Sequence, residues 1–238
     1  MPFTFAHPAI VLPLKKILPN YFSHPALVIG AMAPDFEYFL RLTIKSTISH
    51  TIPGLFCFNL ISGLAVFYWY RFIFESTTLK ITPKKTQHIS YNASVLNSFF
   101  IILFSILVGA SSHLLWDSFT HKTGFFVTHF SVFSTSLSFF GINVPVFKIL
   151  QHSSTAVGSI YIIAYVKSNF TISICKNLSY WLSLIILTFL VLAVVLNSTK
   201  TSGSLANYII QFFSSIFIAI TILNPCFKWF RKGNHPTS

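Results

Sequence analysis

The sequence predicts an all-α membrane protein: a polytopic bundle of about five transmembrane helices with an N-terminal interfacial helical cap. Hydrophobic residues make up 53% of the 238 residues and charged residues only 8%, whereas a soluble domain averages about 25% charged residues. Several apolar runs are about 18 to 21 residues long, the length that an α-helix needs to cross a bilayer. The lipid bilayer is therefore the first predicted partner of the chain.

The N-terminal cap, residues 1–53, contains two short helix candidates. Pro8 can open the first, over 8–18, because proline at the first helical position loses no hydrogen bond. The second, over 25–32, is rich in small residues, and Pro34 ends it just before Asp35. Both helices are too short to span a bilayer, so an interfacial or re-entrant segment is expected.

The rest of the chain divides into spans and polar connections. Four apolar runs, and a fifth that Gln151 and His152 interrupt in its first turn, predict the membrane-spanning helices: 54–74, 96–116, 178–196, 205–223 and 149–166. A loop is predicted over 75–93, a short turn over 197–204 and a basic tail over 228–238. Residues 54–166 are thus predicted to form a transmembrane core and 167–238 a C-terminal transmembrane hairpin with its tail.

The net charge of +12 does not indicate a nucleic-acid partner, because the basic residues are spread over the connections between apolar runs, as orientation signals are. The smaller group falls on one side of the predicted membrane: Arg41, Lys45, Lys122, Lys148 and Lys200. The larger group falls on the other side, which is therefore predicted to be cytoplasmic: Arg71, Lys80, Lys84, Lys85, Lys167, Lys176, Lys228, Arg231 and Lys232.

The acidic residues predict a functional site. The chain has only four of them, and Asp35 and Asp117 lie close in sequence to histidines. Asp117 ends an apolar run, where a carboxylate is costly unless a cation compensates it. Imidazole and carboxylate groups are ligands of zinc and similar divalent ions. The candidate metal ligands are His7, Asp35, His50, His113, Asp117, His121 and His152.

The predicted topology brings these candidates to one membrane face. The first three precede the first span, and after two spans the chain returns to the same side at His113 and Asp117. These two residues are four apart, so they point from one face of a helix, and His121 extends the row if the helix continues. His152 lies in the connection before the next span.

Other interpretations of the same residues stay open. His113 and Asp117 can form a hydrogen-bonded couple that fixes helix packing, and the upstream residues can be helix caps. His152 can be a ligand or a core residue. A non-enzymatic structural or metal-binding protein, or an ion-coupled transporter that uses the cluster as a relay, is the alternative class. Transporters usually carry repeats and charges near the midplane, and this sequence shows no repeat.

Four segments carry a resemblance to a known family: MPFTFAHPAIVLPL, PALVIGAMAPDFEYFLR, ASSHLLWDSFTHKTGFF and VFKILQHSSTAVG. Over roughly its first two thirds the chain resembles the bacterial membrane proteins of the Domain of Unknown Function 4184 family. That family implies no established activity. The resemblance implies a multi-pass protein of the bacterial inner membrane.

A looser similarity runs to the YdjM-type membrane-bound metal-dependent hydrolases and to zinc-dependent phospholipase C and nuclease enzymes. By that resemblance Asp117 bridges two ions, and the terminal ligands are His7, Asp35, His50 and His113. The enzymes add a late HxxxE pair, but no carboxylate follows His152. One or two ions, most simply zinc, are therefore expected.

The resemblance and the cluster together imply a metal-dependent hydrolase at the external face. A bound divalent ion lowers the pKa of water toward about 7 and so activates it against a phosphoester or ester. Asp35 or Asp117 is the candidate base, and Arg41, Lys45, Lys122 and Lys148 are candidates to hold an anionic group. A lipid or lipid-linked phosphate suits such a site because it arrives laterally. The sequence leaves the oligomeric state open.

Overall fold

The computed structural model describes residues 4–74, 79–84, 95–139, 141–199 and 204–233. In this part of the chain helices dominate, with two small two-stranded antiparallel sheets. The elements in chain order are a 3-10 helix Thr4–Ile10, α1 Leu12–Ile17, α2 His24–Met32, a 3-10 turn Ala33–Asp35, α3 Phe36–Arg41, α4 Ile52–Gly54, a π-helix Leu55–Asn59, α5 Leu60–Trp69, a π-helix Tyr70–Phe74, β1 Leu79–Pro83, α6 Val95–Thr120, α7 Phe125–His129, α8 Ser131–Ser134, β2 Ser136–Phe139, β3 Ile142–Pro145, α9 Val146–Asn169, β4 Phe170–Ile174, α10 Leu178–Ser198 and α11 Leu205–Gly233.

Four helical segments among the described residues are long and apolar enough to cross a membrane: Ile52–Phe74, Ser98–His129, Leu178–Ser198 and Leu205–Lys228. The predicted fold class, an all-α membrane protein, is confirmed. The fifth predicted span, 149–166, forms most of α9 but is not one of these four. The polar residues around Gln151 and His152 lower the hydropathy of its first turns.

Prolines set the helix boundaries of the N-terminal cap. Pro8 lies inside the 3-10 helix Thr4–Ile10, and Pro13 stands at the start of α1, so the single helix predicted over 8–18 is divided in two. The second predicted helix is confirmed as α2, with Pro25 in its first turn. Proline suits this position because its missing N–H has no helical partner there.

The short strands were not predicted. Within the loop predicted over 75–93, the described residues include β1, which pairs with β4 so that Leu79 lies opposite Ile174. β2 and β3 form a hairpin, and Gly141 at its turn has a φ of +80°. The tail predicted over 228–238 begins as helix, because α11 continues to Gly233, and 234–238 lie outside the described residues.

Contacts between residues divide the chain into two units. The first consists of Met1–Asp35, Thr47–Leu64 and Thr86–Asn169. The second consists of Phe36–Ser46, Ala65–Lys85 and Phe170–Ser238. The three-segment division at 53 and 166 stays a prediction.

The first unit is built on a close contact between α2 and α6. A Cβ atom on Gly30 would lie 2.4 Å from the carbonyl oxygen of Ile106, and one on Gly109 would lie 2.5 Å from that of Leu27. Small residues of this kind let two helix backbones touch. The contact brings the end of α2, and with it Asp35, against α6.

In the second unit, α11 supplies polar side chains to the backbone at the end of α3. Ser214 donates to the carbonyl of Phe39 at 2.9 Å and Gln211 donates to that of Leu42 at 3.3 Å. Leu42 has a φ of 57°, a left-handed conformation. In an apolar environment such backbone groups need internal partners, and α11 provides them.

Candidate metal centre

Five of the predicted ligands meet in the first unit. His7 comes from the first 3-10 helix, Asp35 from the turn after α2, His50 from the turn before α4, and His113 and Asp117 from α6. Four of them expose 8% of their surface or less, and the His50 side chain is 23% exposed. Two buried carboxylates and three imidazoles therefore share one location.

The distances between imidazole nitrogens and carboxylate oxygens in this group are longer than the donor–acceptor distances of hydrogen bonds. The Nε2 atom of His50 lies 3.5 Å from Asp35 Oδ1 and 3.5 Å from Asp117 Oδ2. The Nε2 atom of His113 lies 3.6 Å and 3.3 Å from the same two oxygens. Charge-assisted hydrogen bonds are about 2.7–2.9 Å long, whereas ligands bound to tetrahedral zinc at about 2.0–2.2 Å stand about 3.3–3.6 Å apart. The arrangement fits ligands around one ion.

The hydrogen bonding of His113 supports the same conclusion. Its Nδ1 atom lies 2.8 Å from the carbonyl oxygen of Ala31 and donates to it, so when the ring is neutral the lone pair of Nε2 faces the carboxylates. Within the described part of the chain, His113 Nε2, Asp35 Oδ1 and Asp117 Oδ1 are buried and make no hydrogen bond. Buried polar atoms left in this way are costly, and a cation between them removes the cost.

Asp117 faces histidines with both oxygens. Its second oxygen, Oδ1, lies 3.7 Å from His7 Nε2 and 3.2 Å from His121 Nδ1. The His7 ring stacks on that of His113, with centroids 3.6 Å apart. A carboxylate with a different pair of imidazoles at each oxygen has the geometry of a bridge between two sites.

Two overlapping sets of side chains have ligand atoms that all lie within 4.8 Å of one another: His7 with Asp35 and His113, and His50 with His113 and Asp117. This buried group can hold a metal ion.

Residues around the group hydrogen-bond to its members and fix the orientation of their side chains. These residues were not predicted from the sequence. Thr4 donates through Oγ1 to Asp35 Oδ2 at 2.5 Å. The Ser49 hydroxyl lies 3.0 Å from His50 Nδ1, and Asn59 donates to the carbonyl of Ser49 at 2.8 Å. Such outer hydrogen bonds hold metal ligands in place. No local pattern marks them, since Thr4 is 31 positions from Asp35.

The electrostatics of the group distinguish its members. Burial and the charge of His113 lower the pKa of His7 to about 3. Burial raises the pKa of Asp35, but the positive charge of His113 and the neighbouring His50 hold it below its usual value. Burial lowers the pKa of His50, but Asp117 and Asp35 outweigh this effect and raise that pKa to about 9. At neutral pH a proton on His50 thus compensates the carboxylates.

A divalent ion that binds His50 must displace this proton. Loading metal-free protein with Zn²⁺ at pH 7 is therefore expected to release about one proton from His50, because metal ligands bind deprotonated. Below pH 9 each unit of falling pH is expected to weaken the apparent affinity about tenfold. Calorimetry in two buffers of different ionisation enthalpy measures the release. His50→Gln removes it and His152→Gln keeps it; zinc binding without proton release contradicts the expectation.

The structure does not bring every predicted residue to the group. His121 reaches Asp117, but His152 is exposed on α9 and makes no ion pair with the cluster. Its neighbour Gln151 is buried instead, at 7% exposure. The prediction placed His152 in a connection, whereas it lies on a helix, where one position turns a side chain by about 100°.

The predicted anion-binding residues have different surroundings. Lys122 and Lys148 are exposed in the first unit. Lys45 is exposed in the second unit, where Arg41 Nε lies 2.8 Å from Oε1 of the buried Glu37. The charge of Arg41 is therefore already compensated within its own unit.

Comparison with known proteins gives one match. No curated protein and no solved structure is detectably similar to the chain. The sequence model of the Domain of unknown function (DUF4184) matches residues 1–224, so the likeness extends beyond the first two thirds and into α11. The chain belongs to the DUF4184 family.

Proposed function

We propose that this protein is a membrane-bound, metal-dependent hydrolase of phosphoesters or esters. Its divalent ion is held by Asp35, His50, His113 and Asp117. The observation that carries the proposal is the set of four nitrogen–oxygen distances of 3.3–3.6 Å among these buried side chains. Perturbed, buried titratable groups gathered in this way are typical of functional sites.

The donor atoms favour zinc or a similar transition ion. Calcium and magnesium prefer sites made of oxygen atoms, whereas mixed imidazole and carboxylate donors suit zinc, iron or manganese. His7 and His121, at the second oxygen of Asp117, are the ligands for a second ion. One or two ions are proposed, with Asp117 as the bridge when both are present.

A bound divalent ion supplies Lewis-acid activation of water, which lowers the pKa of that water to about 7. Access for water comes on the side of His50 and His121, whose side chains are 23% and 28% exposed. The reaction consumes one water: the bond from phosphorus or acyl carbon to the leaving oxygen breaks, and the leaving alcohol takes up one proton.

The two carboxylates are proposed to have different roles. Asp35 is 1% exposed and its Oδ2 accepts from Thr4, so it serves as a fixed ligand. When one ion is bound, Oδ1 of Asp117 is not engaged by it, and Asp117 is then the better-placed acceptor for the proton that water loses. Lys122 and Lys148 are proposed to attract an anionic substrate group to this surface.

The external face of a bacterial inner membrane is the proposed location of the site. The larger group of basic residues at span ends supports a cytoplasmic assignment for the opposite face. The order His7, Asp35, His50, His113, Asp117 is also similar to that of zinc-dependent phospholipase C enzymes. This similarity supports an ester or phosphoester as the substrate.

An activity assay on the purified protein in detergent tests the proposal. Metal-free protein is assayed with bis(p-nitrophenyl) phosphate and p-nitrophenyl butyrate before and after zinc is added. Zinc is expected to restore release of nitrophenol. Asp117→Ala and His113→Ala are each expected to reduce kcat/KM by about 1,000-fold or more, since the activation of water is lost. His152→Ala, the matched histidine outside the group, is expected to retain activity.

The assay also separates the hydrolase from its rival. A wild-type protein that carries metal but shows no metal-dependent release of either product contradicts the hydrolase. That result favours a non-enzymatic metal-binding protein. Flux through liposomes that depends on pH and is insensitive to chelators favours the transporter instead.

A further inference from the structure

A cavity of about 390 Å³ lies beside the candidate metal centre in the first unit. Ligand cavities commonly measure about 300–1,000 Å³. Its walls are mainly apolar, and none of the described residues that line it is a Lys, Arg, Asp or Glu. The lining includes Ala6, His7, Ile10, Trp116, Val157 and Tyr161. Such a lining suits a hydrocarbon ligand and excludes a charged one.

The cavity shares one lining residue, His7, with the cluster of histidines and aspartates. His7 lines the cavity, and the same ring stacks on His113 and faces Asp117. Trp116 directly precedes Asp117 on α6, and its indole donates to the Ser154 hydroxyl on α9 at 3.2 Å. A molecule that contacts His7 in the cavity is therefore one side chain away from His113 and Asp117.

The rim of the cavity is also apolar. Ile10 and Val157 line it and are 44% and 66% exposed, and Ile160 and Ile163 continue the exposed apolar surface of α9. A rim of this kind is unfavourable in water but not in hydrocarbon. Four helices among the described residues are long and apolar enough to cross a membrane, so the rim suits entry from lipid.

We propose that this cavity binds the aliphatic chain of a lipid-like substrate whose ester or phosphoester group reaches the candidate metal centre past His7. The identity of the ligand as a substrate rests on the proposed function, but binding of the chain does not. Gly158 packs closely on the backbone of Ala6 in the cavity wall, since a Cβ atom there would lie 3.2 Å from the carbonyl oxygen of Ala6.

Photo-crosslinking tests the binding of the chain. The probe is dodecyl phosphate that carries a diazirine at the end of its alkyl chain, applied to the full-length protein in detergent. Labelled peptides are expected from 6–13 and 154–161. Unlabelled dodecyl phosphate is expected to compete, whereas inorganic phosphate is not.

Substitutions define the site. Val157→Trp fills the cavity from an exposed position and is expected to reduce labelling at least fivefold. Leu190→Trp, a substitution at an exposed apolar position of α10, is expected to leave labelling unchanged. Asp117→Ala in metal-free protein is also expected to keep it, because the chain does not need the metal. Ala9→Leu, a second filling substitution, is expected to act like Val157→Trp.

The outcomes distinguish the proposed chain-binding cavity from the proposed hydrolase activity. Labelling that is scattered over the exposed apolar helices, or that is unchanged by both filling substitutions, overturns the chain-binding site even where short p-nitrophenyl esters are hydrolysed. Labelling confined to the cavity in a protein without metal-dependent hydrolysis supports the chain-binding site and contradicts only the hydrolase.

Discussion

Wild-type protein purified in detergent is expected to contain at least one equivalent of a divalent transition ion, and Asp117→Ala is expected to contain none. Asp117 has the largest expected effect because its two oxygens face His113 and His50 on one side and His7 and His121 on the other. Loss of outer-sphere partners alone weakens metal binding about 10- to 100-fold. Loss of the carboxylate itself is expected to weaken it by more than about 100-fold.

Inductively coupled plasma mass spectrometry measures the metal per protein. His113→Ala is expected to behave like Asp117→Ala, and His152→Ala is expected to match wild type. Asp117→Asn keeps the shape of the side chain but removes its charge. If Asp117 only anchored helix packing by hydrogen bonds, there would be no metal above background in wild type. That result would contradict both the proposed metal centre and the proposed hydrolase activity.

The ligand pair on α6 could be predicted because it is local. His113 and Asp117 are four positions apart on one helix, so the period of the helix alone places them on one face. The convergence with Asp35 and His50 followed from counting spans, a coarse argument that needs only the correct number of crossings between them. In the structure, the Nε2 atom of each of the two histidines lies 3.3–3.6 Å from a carboxylate oxygen of each of the two aspartates.

The sequence does not predict which side chains on separate helices point toward the same site. His152 was predicted as a ligand or a core residue because of its residue type and its place in the predicted topology, yet α9 turns Gln151 inward and His152 outward. Thr4 and Asn59 support the group through partners that are distant or belong to the backbone. The apolar cavity could not be predicted from the sequence either, since its walls come from four separate helices with no shared pattern.

Gly109→Ala is expected to destabilise the protein and to weaken metal binding while every ligand remains in place. The added Cβ would lie 2.5 Å from the carbonyl oxygen of Leu27 and 2.6 Å from the backbone nitrogen of Ala31. Backbone atoms cannot rotate away, so α2 must move. Overpacking of this kind costs about 1–3 kcal/mol, and a shift of about 3 kcal/mol lowers Tm by about 6 to 12 °C in a chain of this size.

Gly63→Ala is the matched control for this effect. Its added Cβ would lie 2.7 Å from Cγ2 of Ile106, and its three nearest neighbours are all atoms of that one side chain rather than of the backbone. Thermal unfolding in detergent and metal content are measured on both variants, with a smaller fall in Tm and unchanged metal expected for Gly63→Ala. Equal effects of the two substitutions would contradict the special role of the α2–α6 contact.

The reason to expect lost metal lies in the geometry of α6. Gly109, His113 and Asp117 recur every four positions, so the stripe that touches α2 is the stripe that carries the ligands. Where Gly109 meets α2, His113 one turn later donates to the carbonyl of Ala31 at 2.8 Å. A displaced α2 withdraws this acceptor from His113 and shifts Asp35 at the end of the same segment. The close packing of α2 on α6 and the positions of the ligands therefore depend on the same contact. A single methyl group added at Gly109 is expected to disturb both.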